Sequence, residues 1–276
     1  MRRNSPIGIF DSGYGGLTIL EQIRKRLPQY DYLYFGDNAR TPYGTRSFEV
    51  VYHYTLQCVE QMFAMGCELV ILACNTASAK ALRSIQQRDL PHIAPERRVL
   101  GVIRPTVEVI GQITKTNHVG LLATPGTVQS DSYRIEIEKY YPSVVLHSEA
   151  CPMWVPLIEN NEHLSEGADY FVKKYLDALL GKDGMIDTVI LGCTHYPLLL
   201  GKIRKYAPAS VRFLSQGEIV AESLADYLVR HPEMEERCSL GAFCSYFTTE
   251  SVDKFSASAS IFLREDIKVS HVDLGV

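Results

Sequence analysis

VILACNTAS at residues 70–78 and VILGCTHYP at residues 189–197 decide how the chain is read. Each is a short apolar run, a small residue, a cysteine and two polar residues. Apolar runs this short, bounded by small and polar residues, read as strands buried on both faces. Such strands belong to parallel sheets covered by helices on either side. The stretches that follow, ASAKALRSIQQ and YPLLLGKIRKY, read as helices. One chain therefore writes the same strand–cysteine–helix corner twice.

The rhythm extends in both directions from these corners. Upstream of the first, IGIF (7–10) and YLYFG (32–36) read as strands. Between them LTILEQIRKRL places Leu17, Leu20, Ile23 and Leu27 on one helical face, and Pro28 closes it. FEVVYHYTLQCVEQMFAMG reads as a long helix and RVLGVI (98–103) as a fourth strand. The pattern restarts at VGLLA (119–123), with a helix through TVQSDSYRIEIEKYY, a strand VVLHS (144–148), a helix EGADYFVKKYLDALL and the cysteine strand DTVILG (187–192). A helix at 218–229, a strand at 243–247, a helix near 250–258 and a strand at 267–272 complete the chain. The expectation is an α/β fold of two similar domains, each a mostly parallel sheet flanked by helices, with the active site in the cleft between them. The pattern lets the elements after residue 214 cover either unit; the division adopted gives residues 1–102 plus 215–276 to the first domain and 103–214 to the second.

Bulk properties exclude several classes. The 276 residues suit about two domains. A net charge of −4 without a basic tract argues against nucleic acid as a partner. MRRNSPIGIF lacks the apolar stretch and cleavage site of a signal peptide, and no apolar run approaches the ~20 residues that span a bilayer. The expected location is therefore the cytoplasm, with no membrane association. Seven cysteines, an odd number in a chain without export signals, argue against a disulfide framework. There is no CxxC pair. His147 and Cys151 have a metal-like spacing, but no second pair accompanies them, and no metal is expected.

In open parallel sheets ligands bind beyond the carboxyl ends of the strands. The polar residues gather there. Cys74 and Cys193 each precede a helix start, where backbone N–H groups and the helix dipole are expected to lower a thiol pKa. The two lie far apart in the chain, which does not suit a disulfide oxidoreductase. A cysteine hydrolase needs one nucleophile and an imidazole, not two equivalent corners. Paired thiols suit a two-base stereoinversion: one thiolate removes a proton from a chiral carbon and the opposite thiol returns one to the other face.

The neighbouring residues supply what such a site needs. FDSGYGG (10–16) lacks the third glycine of a dinucleotide loop. Asp11 reads instead as a partner for an ammonium or a proton store for a thiol, and Ser12 as a partner for a carboxylate. In GDNARTPYG (36–44), Asp37 opens a loop whose turn at Pro42, Tyr43 and Gly44 presents the backbone N–H groups of Tyr43 and Gly44 to an anion. Asn75, Thr76 and Thr194 read either as helix caps or as partners of a small polar ligand. His195 stands beside Cys193 as a group that tunes its proton. Glu159 is a carboxylate that would support His195. Trp154, the only tryptophan, is expected in packing.

FDSGYGGLT, GDNARTPYG, ACNTASA and LGCTHYPLL, in that order along nearly the whole chain, resemble the cofactor-independent aspartate/glutamate racemases, and the glutamate branch above all. The resemblance implies two α/β domains, a homodimer, and neither pyridoxal phosphate nor a metal. It implies interconversion of L-glutamate and D-glutamate, supplying D-glutamate for bacterial cell-wall peptidoglycan. It makes Cys74 and Cys193 the acid/base thiols, Asp11 the aid of the first, and His195, backed by Glu159, the aid of the second. Asp11, Ser12, Tyr43, Gly44, Asn75, Thr76, Thr194 and His195 match substrate-contacting pairs, and Thr127 matches a threonine-rich loop of the second domain. ATPGTVQS and LSQGEIVAES depart from the commoner wording. The arm before Ile7 is short, so no extended regulatory segment is expected. An aspartate racemase of the same family, a non-catalytic binder of small acidic ligands and a thiol hydrolase are the alternatives.

Overall fold

The computed structural model describes residues 5–263 and 267–275. The expected first domain runs to both chain ends, and its residues 1–4, 264–266 and 276 lie outside the described residues.

Two separate sheets form. The strands are β1 (Ile7–Asp11), β2 (Tyr32–Gly36), β3 (Leu69–Leu72), β4 (Arg98–Gly101), β5 (His118–Ala123), β6 (Val145–Ala150), β7 (Thr188–Gly192), β8 (Arg212–Leu214), β9 (Cys244–Thr248) and β10 (Val269–His271). The first sheet has the order β10-β9-β2-β1-β3-β4 and the second β6-β5-β7-β8. Every strand pairing within them is parallel. β2-β1-β3-β4 and β6-β5-β7-β8 repeat one topology: the first strand is flanked by the second and third, and the fourth lies outside the third. β9 and β10 extend the first sheet beyond β2, so the tail belongs with the first unit.

β1, β2, β3 and β7 are buried at every position, which is why they read as continuous apolar runs. One apolar cluster passes from Ile9 and Leu20 to Leu122, Leu191 and Trp154, joining the two units. Trp154 is fully buried, its ring edge-on to Tyr196 at 4.7 Å. The helix Gln216–Arg230 packs along helix Leu17–Arg26 and also meets helix Ile103–Ile113. Among the described residues no helix is long and apolar enough to cross a membrane.

Several elements differ from expectation. The fourth strand stops at Gly101, and Ile103 opens an unforeseen helix, Ile103–Ile113. Pro105 lies in its first turn, where no intrahelical N–H is lost, and Ile103, Thr106, Val107 and Ile110 form its buried stripe. The helix expected through residues 127–141 is two, Pro125–Gln129 and Ser132–Tyr140, broken where Asp131 takes a left-handed φ of 56°. The helix after Cys74 is also broken, passing from Asn75–Lys80 through Leu82–Ser84 into a wide turn at Ile85–Asp89. β8 was not foreseen, and the helix expected at 218–229 begins at Gln216.

Candidate active site

The topology explains why the two cysteines meet ligands at all. In each unit the chain leaves the first strand to one side, then returns to the other. The crevice at that reversal lies between the first and third strands. β1 delivers Asp11 and Ser12 to it, and β3 delivers Cys74. In the second unit β5 delivers Thr124, and β7 delivers Cys193, Thr194 and His195. The two crevices face one another. Cys74 and Cys193 line one cavity of about 70 Å³, with only 6% and 7% of their surface exposed.

The expected site residues divide into two groups. Ser12, Pro42, Tyr43, Gly44, Asn75, Thr76, Thr194 and His195 line the cavity with the two cysteines. Asp11, Asp37, Thr127 and Glu159 stand behind it. A second opening of about 740 Å³, walled by Arg83, Arg104, Glu136 and Tyr227 among others, holds none of them. Volume does not select the site; the sulfur pair does.

Cys74 caps its own helix. Its Sγ accepts the Ala77 N–H at 3.4 Å, and Ser12 Oγ lies 3.3 Å away. Asp11 is buried behind Ser12; its Oδ2 accepts the Gly13 N–H at 2.9 Å, while Oδ1 is buried with no hydrogen-bond partner among the described residues. Burial raises the Asp11 carboxyl, against the opposing charge of His195. Burial, and then the Asp11 charge, push the Cys74 thiol up to about 12. This corrects the expected lowering: the Ser12 and Ala77 hydrogen bonds are outweighed by desolvation of the sulfur.

Cys193 has a different neighbour. His195 Nδ1 lies 3.8 Å from its Sγ, and Nε2 lies 3.1 Å from Glu159 Oε1. Glu159 ends the helix Trp154–Glu159, which the sequence could not place. Burial alone would lower the His195 imidazole; hydrogen bonds to Cys193 and Glu159 override it and carry the pKa up to about 10. His195 is thus buried between a sulfur and a carboxylate, both of which favour its protonated form.

The supporting loops are tied down. Asp37 and Arg40 form a buried ion pair at 2.7 Å, and the Tyr43 hydroxyl donates to the same carboxylate. Thr249 Oγ1 donates to Asp37 Oδ1 at 2.9 Å. Asp37 therefore holds the Pro42–Gly44 turn from behind. Thr127 acts similarly: Thr76, Thr124 and Thr127 hydroxyls lie within 2.9–3.3 Å of one another across the cleft.

Two features escaped sequence reading. Gln216 is buried, and its Oε1 accepts from Asn75 Nδ2 at 2.6 Å while its Nε2 donates to Thr106 Oγ1 and the Tyr133 hydroxyl at 2.8 and 2.9 Å. Tyr133 donates in turn to Asn75 Oδ1 at 2.7 Å, so both ends of the Asn75 amide are fixed. The departure noted in LSQGEIVAES is where this network begins. The other feature is Gly15: a Cβ there would run into Thr194 Oγ1 and His195 Nδ1. FDSGYGG is thus a close-approach turn between units, and Thr18 Oγ1 beside it donates to the Thr194 carbonyl at 3.1 Å.

Comparison with known proteins agrees with this geometry. The family model described as Asp/Glu/Hydantoin racemase matches residues 17–224. A glutamate racemase of Ruegeria sp. (strain TM1040) is 42% identical over 271 residues, covering 95% of this chain and 97% of that one. The crystal structure of a glutamate racemase isoform from Bacillus anthracis superposes with a TM-score of 0.90 at 35% identity, covering 100% of both chains. That of a Francisella tularensis glutamate racemase in complex with D-glutamate gives 0.88 at 31%, covering 99% of both. With that agreement over nearly every residue, the chain belongs to the Asp/Glu/Hydantoin racemase family.

Proposed function

We propose that this chain interconverts L-glutamate and D-glutamate, with Cys74 and Cys193 as the two acid/base groups. The observation that carries the reading is that both sulfurs, one from each sheet, line a single cavity. The names and the bound D-glutamate of the relatives support glutamate as substrate.

The α-proton of an amino-acid carboxylate is far less acidic than any side chain, so the site must stabilise charge that builds on the carboxylate as the proton leaves. Ser12, Asn75, Thr76 and Thr194 and the backbone of Tyr43 and Gly44 supply donors around the cavity. A nearly closed cleft strengthens them by excluding water. In the L-to-D direction the Cys193 thiolate, paired with the His195 imidazolium, takes the α-proton, and the Cys74 thiol gives its own to the opposite face. One S–H bond forms as another breaks, and the D-to-L direction starts from the exchanged state. Asp11, buried behind Ser12, is placed to take the proton that Cys74 must lose in that exchanged state, or to meet the substrate ammonium. Glu159 holds His195, while Asp37 and Thr127 position the loops.

The resemblance supports a homodimer, a cytoplasmic location, domain boundaries after residues 102 and 214, and a role in supplying D-glutamate for peptidoglycan. The test is incubation of L-glutamate with the purified protein in heavy water. Optical activity decays as one deuterium per molecule enters at the α-carbon, while L-aspartate under the same conditions is turned over far more slowly. Absence of deuterium uptake would remove the reading, and faster turnover of aspartate would reassign the substrate.

A further inference from the structure

We propose that His118, His147 and Asp183 form a binding site for a late first-row divalent cation of the zinc type, separate from the paired cysteines. His118 opens β5 and His147 lies within β6, the edge strand of the second sheet. In the parallel register His118 faces Val145 and Gly120 faces His147, so the two histidines stand two positions apart on one face of the sheet. The helix Glu166–Leu180 packs on that face; a Cβ on Gly120 would lie 2.8 Å from Leu179 Cδ2. The turn that follows this helix brings in Asp183. The cleft lies at the other end of β5, about 16 Å along the strand.

Three donor atoms converge. His118 Nδ1 lies 2.6 Å and His147 Nε2 3.1 Å from the same oxygen, Asp183 Oδ2. All three lie within 4.8 Å of one another. The imidazoles are near-parallel, 12° apart in plane, with centroids 6.2 Å apart. Asp183 Oδ1 accepts the Met185 N–H at 2.8 Å, which orients the carboxylate and leaves Oδ2 for a ligand. The adjacent Lys182 is engaged by Glu149 at 2.7 Å.

Zinc bonds of about 2.0–2.2 Å set tetrahedral ligand atoms about 3.3 Å apart. The present donor atoms, all within 4.8 Å of one another, lie close to that spacing. Two imidazoles and one carboxylate suit zinc, cobalt, nickel or copper and not magnesium or calcium. Each side chain is 21% exposed, so an ion can enter and water can complete its shell. The sequence shows only the spacing of His147 and Cys151, without a second pair; the fold instead brings His147 beside His118 and Asp183. A bound ion would pin edge strand β6 and the Asp183 turn to β5.

The test uses the full chain stripped with a chelator and titrated with cobalt(II). Wild-type protein is expected to bind one equivalent with visible d–d bands and no thiolate charge-transfer band, which separates this site from the cysteines. His118→Gln and Asp183→Asn, each folded by circular dichroism, weaken binding by at least about tenfold and abolish the rise in Tm that cobalt gives wild type. Should either variant fail to fold, His147→Gln tests the same site. Equal affinity in the variants, a thiolate band on the bound ion, or no binding at submillimolar cobalt would overturn the proposal.

Discussion

Cys74 and Cys193 occupy equivalent corners in unlike surroundings. Cys74 sits beside a buried carboxylate, and its thiol is pushed up to about 12; Cys193 sits beside a histidine held at about 10. Cys74 therefore holds its proton more tightly than a free thiol, and His195 more tightly than a free imidazole. Replacing either cysteine by alanine is expected to lower racemisation by at least about a hundredfold, measured by circular dichroism of glutamate. Because His195 is raised from 6.5, its contribution to stability is complete below that value and is lost as pH climbs through about 10. Activity is expected to fall over the same upper range, as the imidazolium loses its proton. Glu159→Gln, which removes a charge that raises His195, should move the falling limb of the pH–rate profile to lower pH with the fold intact. An unmoved limb would show that Glu159 does not set the histidine's proton. That both cysteines and His195 stand at strand ends beside one cavity was legible from residue type and position. The high Cys74 pKa was not, because desolvation depends on what packs over a sulfur from distant parts of the chain.

At the scale of elements, the turn after β1 and the start of helix Gln216–Arg230 hold the site together. Gly15→Ala would force its Cβ against Thr194 and His195. Overpacking of this kind costs about 1–3 kcal/mol, and displacement of His195 is expected to lower kcat by about a hundredfold. Gln216→Leu would strip Asn75 Nδ2 of its acceptor and Tyr133 of a donor in a buried place. The expected destabilisation is about 1–3 kcal/mol, read by urea unfolding, together with a raised KM as Asn75 loses its fixed orientation. Wild-type KM and kcat in that variant would contradict the positioning role. Elements with long apolar runs or one-sided helical faces were readable. Those that escaped have local causes: β8 is a three-residue edge strand paired, among the described residues, with β7 alone, and Pro105 disguised a helix start. The Gln216 network joins residues far apart in sequence, so no local pattern announces it.

For the whole molecule, the repeated strand order puts two reversal crevices face to face, and the apolar cluster crosses between them. The Gly126 N–H donates to the Gly44 carbonyl at 2.8 Å, and the threonine hydroxyls bridge the same seam. Two units joined by a shared core and a hydrogen-bonded seam should unfold together. Calorimetry is expected to give one transition with equal calorimetric and van't Hoff enthalpies; two resolved transitions would show that the units are independently stable. The repeat itself was visible in the sequence, since both halves carry the same corner. That the tail strands join the first sheet rather than the second was not fixed by local pattern. The central claim, two sulfurs acting from opposite faces of one carbon, is tested most directly by the early time course of L-glutamate in heavy water. Two separate proton carriers predict that D-glutamate forms fully deuterated while the remaining L-glutamate is still protonated. Deuterium appearing equally in both enantiomers from the outset would mean a single group both takes and returns the proton, and would contradict the account.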